Sequence, residues 1–335
     1  MKIVRYLWIL LCLLCYASVL ISPRIFPFGA LLGYAIPVIV VISLFILLIS
    51  RKLWSLIIPI ASIPFTVATF QFSTPTPPSE DSFTVLSFNA KLFRRPGSYR
   101  EFSTEMIEWT AADTADIKVI PEHSTDDRWA TIDVNKRIGD HGYNAFSVSA
   151  PIDDNDHNLG SAIFSRFPSA QKGTVFTDST SVSMTIFEDV VIGKDTVRIY
   201  NVHLASMRLA GVQLTGRFSK LRTICNRLMA GAVMHSSQVD TIVAHIEECR
   251  YPYIICGDFN ETPYSYSYWR MRRLGTDAFI DEGIGFGFTF ESLHPLARID
   301  YQFVSDEIVV ETIDVEKHMR LSDHLPLRGR YRVSK

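Results

Sequence analysis

Tyr253-Ile254-Ile255-Cys256-Gly257-Asp258-Phe259-Asn260 is an apolar run that ends in Gly, Asp and Asn. The run predicts a buried strand, and the Gly gives the backbone freedom to turn at its end. Asp258 and Asn260 are two residues apart, so on extended backbone both side chains point the same way. A carboxylate that can orient or deprotonate water then stands beside an amide that can donate to developing negative charge. The plainer reading is an ordinary strand-to-turn exit, since Gly, Asp and Asn are all common in turns. Partners elsewhere in the chain decide between the two.

A chain of 335 residues has room for one large or two ordinary domains. Residues 1–79 carry Lys2, Arg5, Arg24, Arg51 and Lys52 and neither Asp nor Glu. The remainder holds 28 basic against 35 acidic residues, a net of −7. That contrast marks a domain boundary. The acidic balance also argues against broad electrostatic attraction to nucleic acid, which needs a basic face. Five cysteines show no CxxC spacing, so neither a zinc site nor a disulfide framework is indicated. A single Cys225–Cys249 bridge would require an oxidising compartment, and Cys256 reads as a small core residue.

Three apolar runs precede the boundary: residues 3–21, 30–50 and 53–70, the last softened by Pro59 and Pro64. Each has about the 20 residues needed to cross a bilayer core. A cleaved signal peptide is the alternative for the first, but no small-x-small cleavage site follows it. The expectation is a membrane domain, 1–72, with three transmembrane helices. Lys2, Arg5, Arg51 and Lys52 would stay cytoplasmic, which puts the remainder on the extracytoplasmic (in a bacterium, periplasmic) side of an inner or plasma membrane. Residues 73–81 are Pro-rich and read as a stiff linker.

From Ser82 strand-like and helix-like segments alternate, which predicts a layered α/β sandwich. Strands are expected at 83–89, 116–120, 159–164, 182–187, 197–204, 253–260, 288–290, 299–304 and 327–333. Helices are expected within 99–110, 209–249 and 264–274. Polar residues stand at strand ends: Asn89, Glu122, Asn201 with His203, Asp258 with Asn260, Asp300, and Asp323 with His324. Asn, Glu and Asp form an all-oxygen set suited to Mg²⁺ or Mn²⁺ rather than zinc. Singly, each has a plain explanation: a turn Asn, a surface Glu, a core His.

The ordered motifs Leu86-Ser87-Phe88-Asn89-Ala90, the strand ending in Glu122, residues 160–168 (GSAIFSRFP), Asn201-Val202-His203-Leu204, Gly257-Asp258-Phe259-Asn260, Arg298-Ile299-Asp300-Tyr301 and Ser322-Asp323-His324-Leu325-Pro326 resemble the endonuclease/exonuclease/phosphatase superfamily. The resemblance covers residues 82–335. It implies a DNase I-like α/β fold, a four-layered α/β/β/α sandwich, and hydrolysis of a phosphoester with a divalent metal. It implies Glu122 as principal metal ligand, with Asn89 and Asp323. Asp258 would handle the attacking water and Asn260 a phosphate oxygen. His324 would face the phosphate, oriented by Asp300, with His203 as second histidine and Asn201 beside it. One departure stands out: Pro121 precedes Glu122, where the family usually has Gln.

The favoured reading is a membrane-anchored, Mg²⁺-dependent phosphodiesterase acting on a lipid headgroup or another extracytoplasmic phosphodiester. An envelope-tethered DNase-type endonuclease acting on nucleic acid is the alternative, and a non-catalytic binding protein is the third. No obligate protein partner is evident. Tyr264, Tyr266, Tyr268 and Trp269 read as an aromatic helix packed on the sheet rather than a substrate groove.

Overall fold

The computed structural model describes residues 2–334, except 51, 75, 96–97, 99–100, 152–157, 179–182, 208, 210–216 and 292–296. The chain forms two compact units. The smaller comprises residues 1–69, 206–240 and 261–273, so the N-terminal segment folds with two pieces from far along the chain. The larger comprises 70–205, 241–260 and 274–335.

The three expected membrane helices are not seen as three single helices. The first run forms Lys2–Ser18 (α1). The second is broken into Phe28–Tyr34 (α2) and Ile36–Ser50 (α3), bent by 44°. The third falls into a short 3₁₀ turn at Leu53–Leu56, then Ile57–Ala61 (α4) and Ile63–Val67 (α5). Pro37, Pro59 and Pro64 stand in these broken stretches; proline removes a backbone donor and clashes with the preceding turn. Among the described residues no single helix is long and apolar enough to cross a membrane, and the bent α2–α3 pair is the one combination that passes. The unit is nonetheless apolar outside as well as inside. Cys12, Cys15, Tyr16, Ile36, Ile58 and Phe65 form its core with Tyr264. On its surface Val4, Leu7 and Leu14 of α1 and Val41, Phe45 and Leu48 of α3 are exposed. Tyr264 and Trp269 pack on this apolar core, as Trp269 does edge-on against Phe65, and not on a sheet as the sequence suggested.

The larger unit holds two six-stranded sheets. One runs Ile308–Val315 (β13), Leu327–Val333 (β14), Phe83–Ser87 (β2), Ile117–His123 (β3), Asn158–Ser165 (β5), Asn144–Pro151 (β4). The other runs Thr276–Asp277 (β10), Asp300–Val304 (β12), Tyr253–Asp258 (β9), Asp195–His203 (β8), Ser183–Ile192 (β7), Ser169–Asp178 (β6). Gln71–Phe72 (β1) and Ile284–Gly285 (β11) form a separate pair. Inward residues of the two large sheets make one core, including Val85, Val119 and Ile163 from the first and Ile186, Ile199 and Ile254 from the second. Outside the first sheet lie Thr104–Ala112 (α6) and Val134–Gly139 (α7), which bury Met106, Ile107, Val134 and Ile138. Ile242, Val243 and Ile246, near the end of Arg217–Glu247 (α8), are also buried, and His245 there meets Tyr200 of β8. Tyr266–Met271 (α9) lies in the smaller unit, and Ala278–Glu282 (α10) follows β10.

The expected strand at 288–290 is absent; Phe290 makes a lone bridge to His324. Tyr99, Arg100, Val182 and residues 210–216 of the predicted elements lie outside the described residues. The linker is not a free spacer. Ser73 N donates to Gly283 O at 3.1 Å, and Ser79 Oγ to Glu311 Oε1 at 2.6 Å, so described parts of 73–82 lie along the larger unit. All five cysteines are free thiols.

Lys118 sits fully buried in a strand that reads as apolar. Its Nζ donates to the carbonyls of Thr110 and Ala111 at 2.8 and 3.1 Å, at the end of α6, and lies 3.9 Å from the Tyr143 ring centroid. The lysine satisfies helix-end acceptors that have no intrahelical partner. Burial lowers its pKa to about 8.

Gly257 is required where it stands. Its φ is +133°, and a Cβ there would lie 2.0 Å from the Val202 carbonyl oxygen of the neighbouring strand. Gly257→Ala is expected to cost about 2–3 kcal/mol or more, because strain and a backbone clash act together. Chemical denaturation with an unchanged m-value is the check; a loss below about 0.5 kcal/mol contradicts it.

Candidate active site

Strand register assembles the site. His203 pairs with Asp258 across the parallel β8–β9 ladder, and Asp300 pairs with Asp258 across antiparallel β9–β12. Three polar residues from three neighbouring strands therefore stand at one level. The other sheet supplies Asn89, just past β2, and Glu122, near the end of β3.

Asn89 Nδ2 joins the two contributions, donating to Glu122 Oε1 at 3.1 Å and to Asp258 Oδ2 at 2.9 Å. Its Oδ1 accepts from Lys91 N at 3.0 Å. His203 Nε2 is 3.4 Å from Glu122 Oε1, close enough for attraction but without hydrogen-bond geometry. His324 Nδ1 lies 2.9 Å from Asp300 Oδ2, and its Nε2 lies 3.6 Å from Asp258 Oδ2. Asp300 is thus the hydrogen-bonding partner of the His324 ring.

Two carrier residues have left-handed backbone, Glu122 with φ 49° and Asn260 with φ 50°. Such conformations cost energy in residues other than Gly and persist when the surroundings impose them. At Glu122 the cause is a bulge: β3 and β5 change register between Ile120 and His123. The bulge also accommodates Pro121, which has no ladder donor and belongs at such irregularities. Its carbonyl still accepts from Ala90 N at 3.3 Å. The Pro that departs from the family pattern therefore leaves Glu122 in the cluster. His123 next to it is buried between the rings of Phe93 and Phe164, and burial depresses its pKa to about 4.

The electrostatics divide the groups by role. Burial works to raise the Glu122 pKa, but His203, Asn89 and His324 outweigh it and bring the carboxyl down to about 2. Asp258 goes the other way: burial and the Asp300 charge raise it against the pull of His324 and His203, to about 6. Burial disfavours a charged His324, but Asp300 and Asp258 overcome it and lift its pKa to about 10. His203 is raised too, against burial, by Glu122 and Asp258. At neutral pH His324 is protonated, Glu122 is ionised and Asp258 is poised near its own titration, while His203 is shifted toward its protonated form.

Two groups of described residues place possible ligand atoms within 4.8 Å of one another: Glu122, His203 and Asp258, and Asp258, Asp300 and His324. A protonated imidazole has no lone pair to offer. Among these groups the Glu122 carboxylate is a hard oxygen donor that fits a divalent cation, its side chain 25 % exposed and open to one.

Three expected residues are placed differently from the reading of the sequence. Asp323 belongs to neither group; Lys91 Nζ holds its carboxylate at 2.6 Å. Asn201 Nδ2 donates to Ala162 O at 3.0 Å, so it ties β8 to β5 of the other sheet. Asn260 Nδ2 donates to Leu204 O at 2.9 Å and lies 3.3 Å from Asp258 Oδ2, while its backbone N–H bonds Asp258 Oδ1 at 2.8 Å. Its observed work is to hold Asp258. Sequence reasoning missed Lys91 and also Ser322, whose Oγ donates to Asn89 O at 2.9 Å. It also missed Thr289, whose Oγ1 accepts from Ile299 N and Asp300 N. Lys91 begins a run of three positive-φ residues with Leu92 and Phe93, a conformation no residue type there announces.

Comparison with known proteins settles the family. The model of the Endonuclease/Exonuclease/phosphatase family matches residues 86–324. The chain belongs to this family. The matched span includes every residue of the cluster. No curated protein matches. Among solved structures the fold resembles an endonuclease/exonuclease/phosphatase from Beutenbergia cavernae, with 17 % identity, TM-score 0.56, and 76 % of this chain and 72 % of that one covered. A family protein from Bacteroides thetaiotaomicron gives 18 % identity and TM-score 0.52 over 78 % and 99 % of the chains. The human Nocturnin catalytic domain with bound sulfate anion gives 16 % and 0.53 over 76 % and 96 %. At these identities the likeness shows the fold alone. Membership makes a phosphoester-directed hydrolase the plausible class for this chain.

Proposed function

We propose that this family member is a divalent-metal-dependent phosphodiesterase that hydrolyses its substrate by attack of water and is anchored in a membrane by its smaller unit. The observation that carries the reading is the buried line Asp300–His324–Asp258, with His324 3.6 Å from Asp258 on one side and 2.9 Å from Asp300 on the other. Asp258, with its pKa near 6, takes a proton from water at neutral pH. Asn260 and Asn89 fix its carboxylate by their hydrogen bonds. Protonated His324 offers Nε2–H to a phosphoryl oxygen, and Asp300 holds that ring in place. His203, shifted toward its protonated form, stands beside Glu122. A cation held by Glu122, Mg²⁺ or Mn²⁺ by the hardness of the carboxylate, would supply charge neutralisation at a non-bridging oxygen.

Membrane anchoring is supported by the exposed apolar side chains of α1 and α3 and by the absence of any acid before Glu80. A soluble surface rarely leaves so much contiguous apolar area bare. With Lys2 and Arg5 cytoplasmic, the larger unit faces the extracytoplasmic side, where a lipid headgroup is the favoured substrate. A reporter inserted after Phe70 should behave as extracytoplasmic; a cytoplasmic signal contradicts the orientation.

The test of the activity is a panel: purified full chain with Mg²⁺ against a chromogenic diester, sphingomyelin-like lipids, phosphoinositides and plasmid DNA. Hydrolysis of a diester that chelator abolishes is expected. No hydrolysis of any substrate, with no Mg²⁺ binding, overturns the reading. The pH profile should be bell-shaped. Asp258 works ionised, so activity falls below about pH 6; His324 works protonated, so activity falls above about pH 10. A monotonic rise from pH 4 to 11 contradicts the assignment.

A further inference from the structure

We propose that the N-terminal half of α8 is an interfacial helix that docks on an anionic lipid surface. The inference rests on the membrane-anchored reading and gives the anchor a second contact.

Charge comes first. Residues 206–239 contain Arg208, Arg217, Lys220, Arg222 and Arg227 and no Asp or Glu, in a chain otherwise acidic after residue 79. An uninterrupted basic stretch in an acidic protein is a local site of attraction for anions.

The face comes next. Phe218 is 88 % exposed and Leu221 58 % exposed. They are three residues apart, with Cys225 and Leu228 at further helical spacings, so the four share one face of α8. Lys220 and Arg222, both exposed, fall on either side of that stripe. An apolar stripe flanked by cations suits a helix lying in the headgroup region, with its stripe toward the acyl boundary.

Position within the smaller unit gives the third argument. Ala232 of α8 lines the same small cavity as Ser18, Pro23 and Gly29, where α1 ends and α2 begins. Arg24 of that turn makes an ion pair with Asp240. The helix is thus fixed at one end of the apolar bundle, the end that the proposed orientation puts at the extracytoplasmic water–lipid boundary. Phe218 lies 14 residues from Ala232, about 21 Å along a helix. The bare apolar surfaces of α1 and α3 belong to this same unit.

The experiment uses the full chain carrying Cys249→Ser, with an environment-sensitive fluorophore on native Cys225; Cys12, Cys15 and Cys256 are buried. The protein is reconstituted into vesicles of phosphatidylglycerol with phosphatidylcholine, or of phosphatidylcholine alone, each containing a spin-labelled quencher lipid. Quenching is expected on the anionic vesicles and should weaken at high salt. Lys220→Ala with Arg222→Ala should lower the docked-to-undocked ratio there by about 20- to 30-fold, since each cation near an anionic surface contributes roughly fivefold. Phe218→Ser should weaken docking on both vesicle types. Absent quenching overturns the proposal, as does quenching that ignores lipid charge and both variants. A label response that appears with protein concentration in lipid-free micelles assigns the face to a second copy. A response to a duplex oligonucleotide but not to vesicles assigns it to nucleic acid. Either result overturns the lipid assignment. Flotation of the chain with vesicles reads the anchoring separately: a chain that floats with an unquenched label refutes this inference alone.

Discussion

Asp258→Ala is expected to lower kcat on a simple phosphodiester by about 10²–10⁴-fold, with the fold intact, and His324→Ala to do the same. Asp258 and His324 are joined through one network with Asp300, Asn89 and Asn260. Removing Asp258 leaves His324 partnered by Asp300, and removing His324 leaves Asp258 held by Asn89 Nδ2 and Asn260 N. Residues that act as a unit lose function non-additively. The double variant should therefore be little worse than either single one. Asp258→Asn is the sharper version, because its side-chain oxygen still accepts from Asn260 N but cannot take the proton. Steady-state kinetics with circular dichroism on each variant is the measurement. Activity within a few-fold of the parent, or two losses that simply multiply, contradicts the assignment.

Asp277→Ala is expected to cost about 3–5 kcal/mol of stability. Asp277 accepts from both terminal nitrogens of Arg298, at 3.2 and 2.8 Å, and both residues are buried. The Arg298 guanidinium carbon also lies 4.8 and 4.6 Å from the ring centroids of Phe279 and Tyr301. Without Asp277 the buried guanidinium loses its bidentate carboxylate. Asp277 also caps α10 by accepting from Phe279 N at 3.1 Å. Arg298 lies two residues before Asp300, so the loss should reach the site as well. Denaturant unfolding monitored by Trp fluorescence tests this, with Arg298→Met as companion. If Asp277→Ala costs under about 1 kcal/mol, the pair is not the anchor described. If the double variant Asp277→Ala with Arg298→Met costs as much as Asp277→Ala alone, loss of packing and not the stranded charge explains the loss.

The strands that carry the motifs were legible because each is short, apolar and punctuated. Leu327–Val333 agrees with expectation, and Ile299–Val304 and Tyr253–Asn260 differ by a residue or two at their ends. Asn144–Pro151, Ser169–Asp178 and Ile308–Val315 were missed. Asn144–Pro151 and Ser169–Asp178 lie at the ends of their sheets, and the latter is largely exposed, so no apolar run announces it. Phe288–Phe290 failed in the opposite direction: an aromatic run with strand character makes one bridge only. Local propensity is overridden when tertiary pairing offers no neighbour.

By itself the sequence determined the order of the polar strand ends, the charge break at residue 80 and the residue types of an oxygen-rich site. These are properties of one-dimensional pattern and need no knowledge of what lies across a sheet. The tertiary structure decided which of those residues meet. It set His203, Asp258 and Asp300 at one level through strand register, drew Asp323 to Lys91, and turned Asn201 and Asn260 to backbone carbonyls. It also gathered residues 206–240 and 261–273 with the N-terminal helices, although some 140 residues of chain intervene before the first. Contacts of that span depend on sheet pairing and burial summed over the whole chain, and no local window contains them.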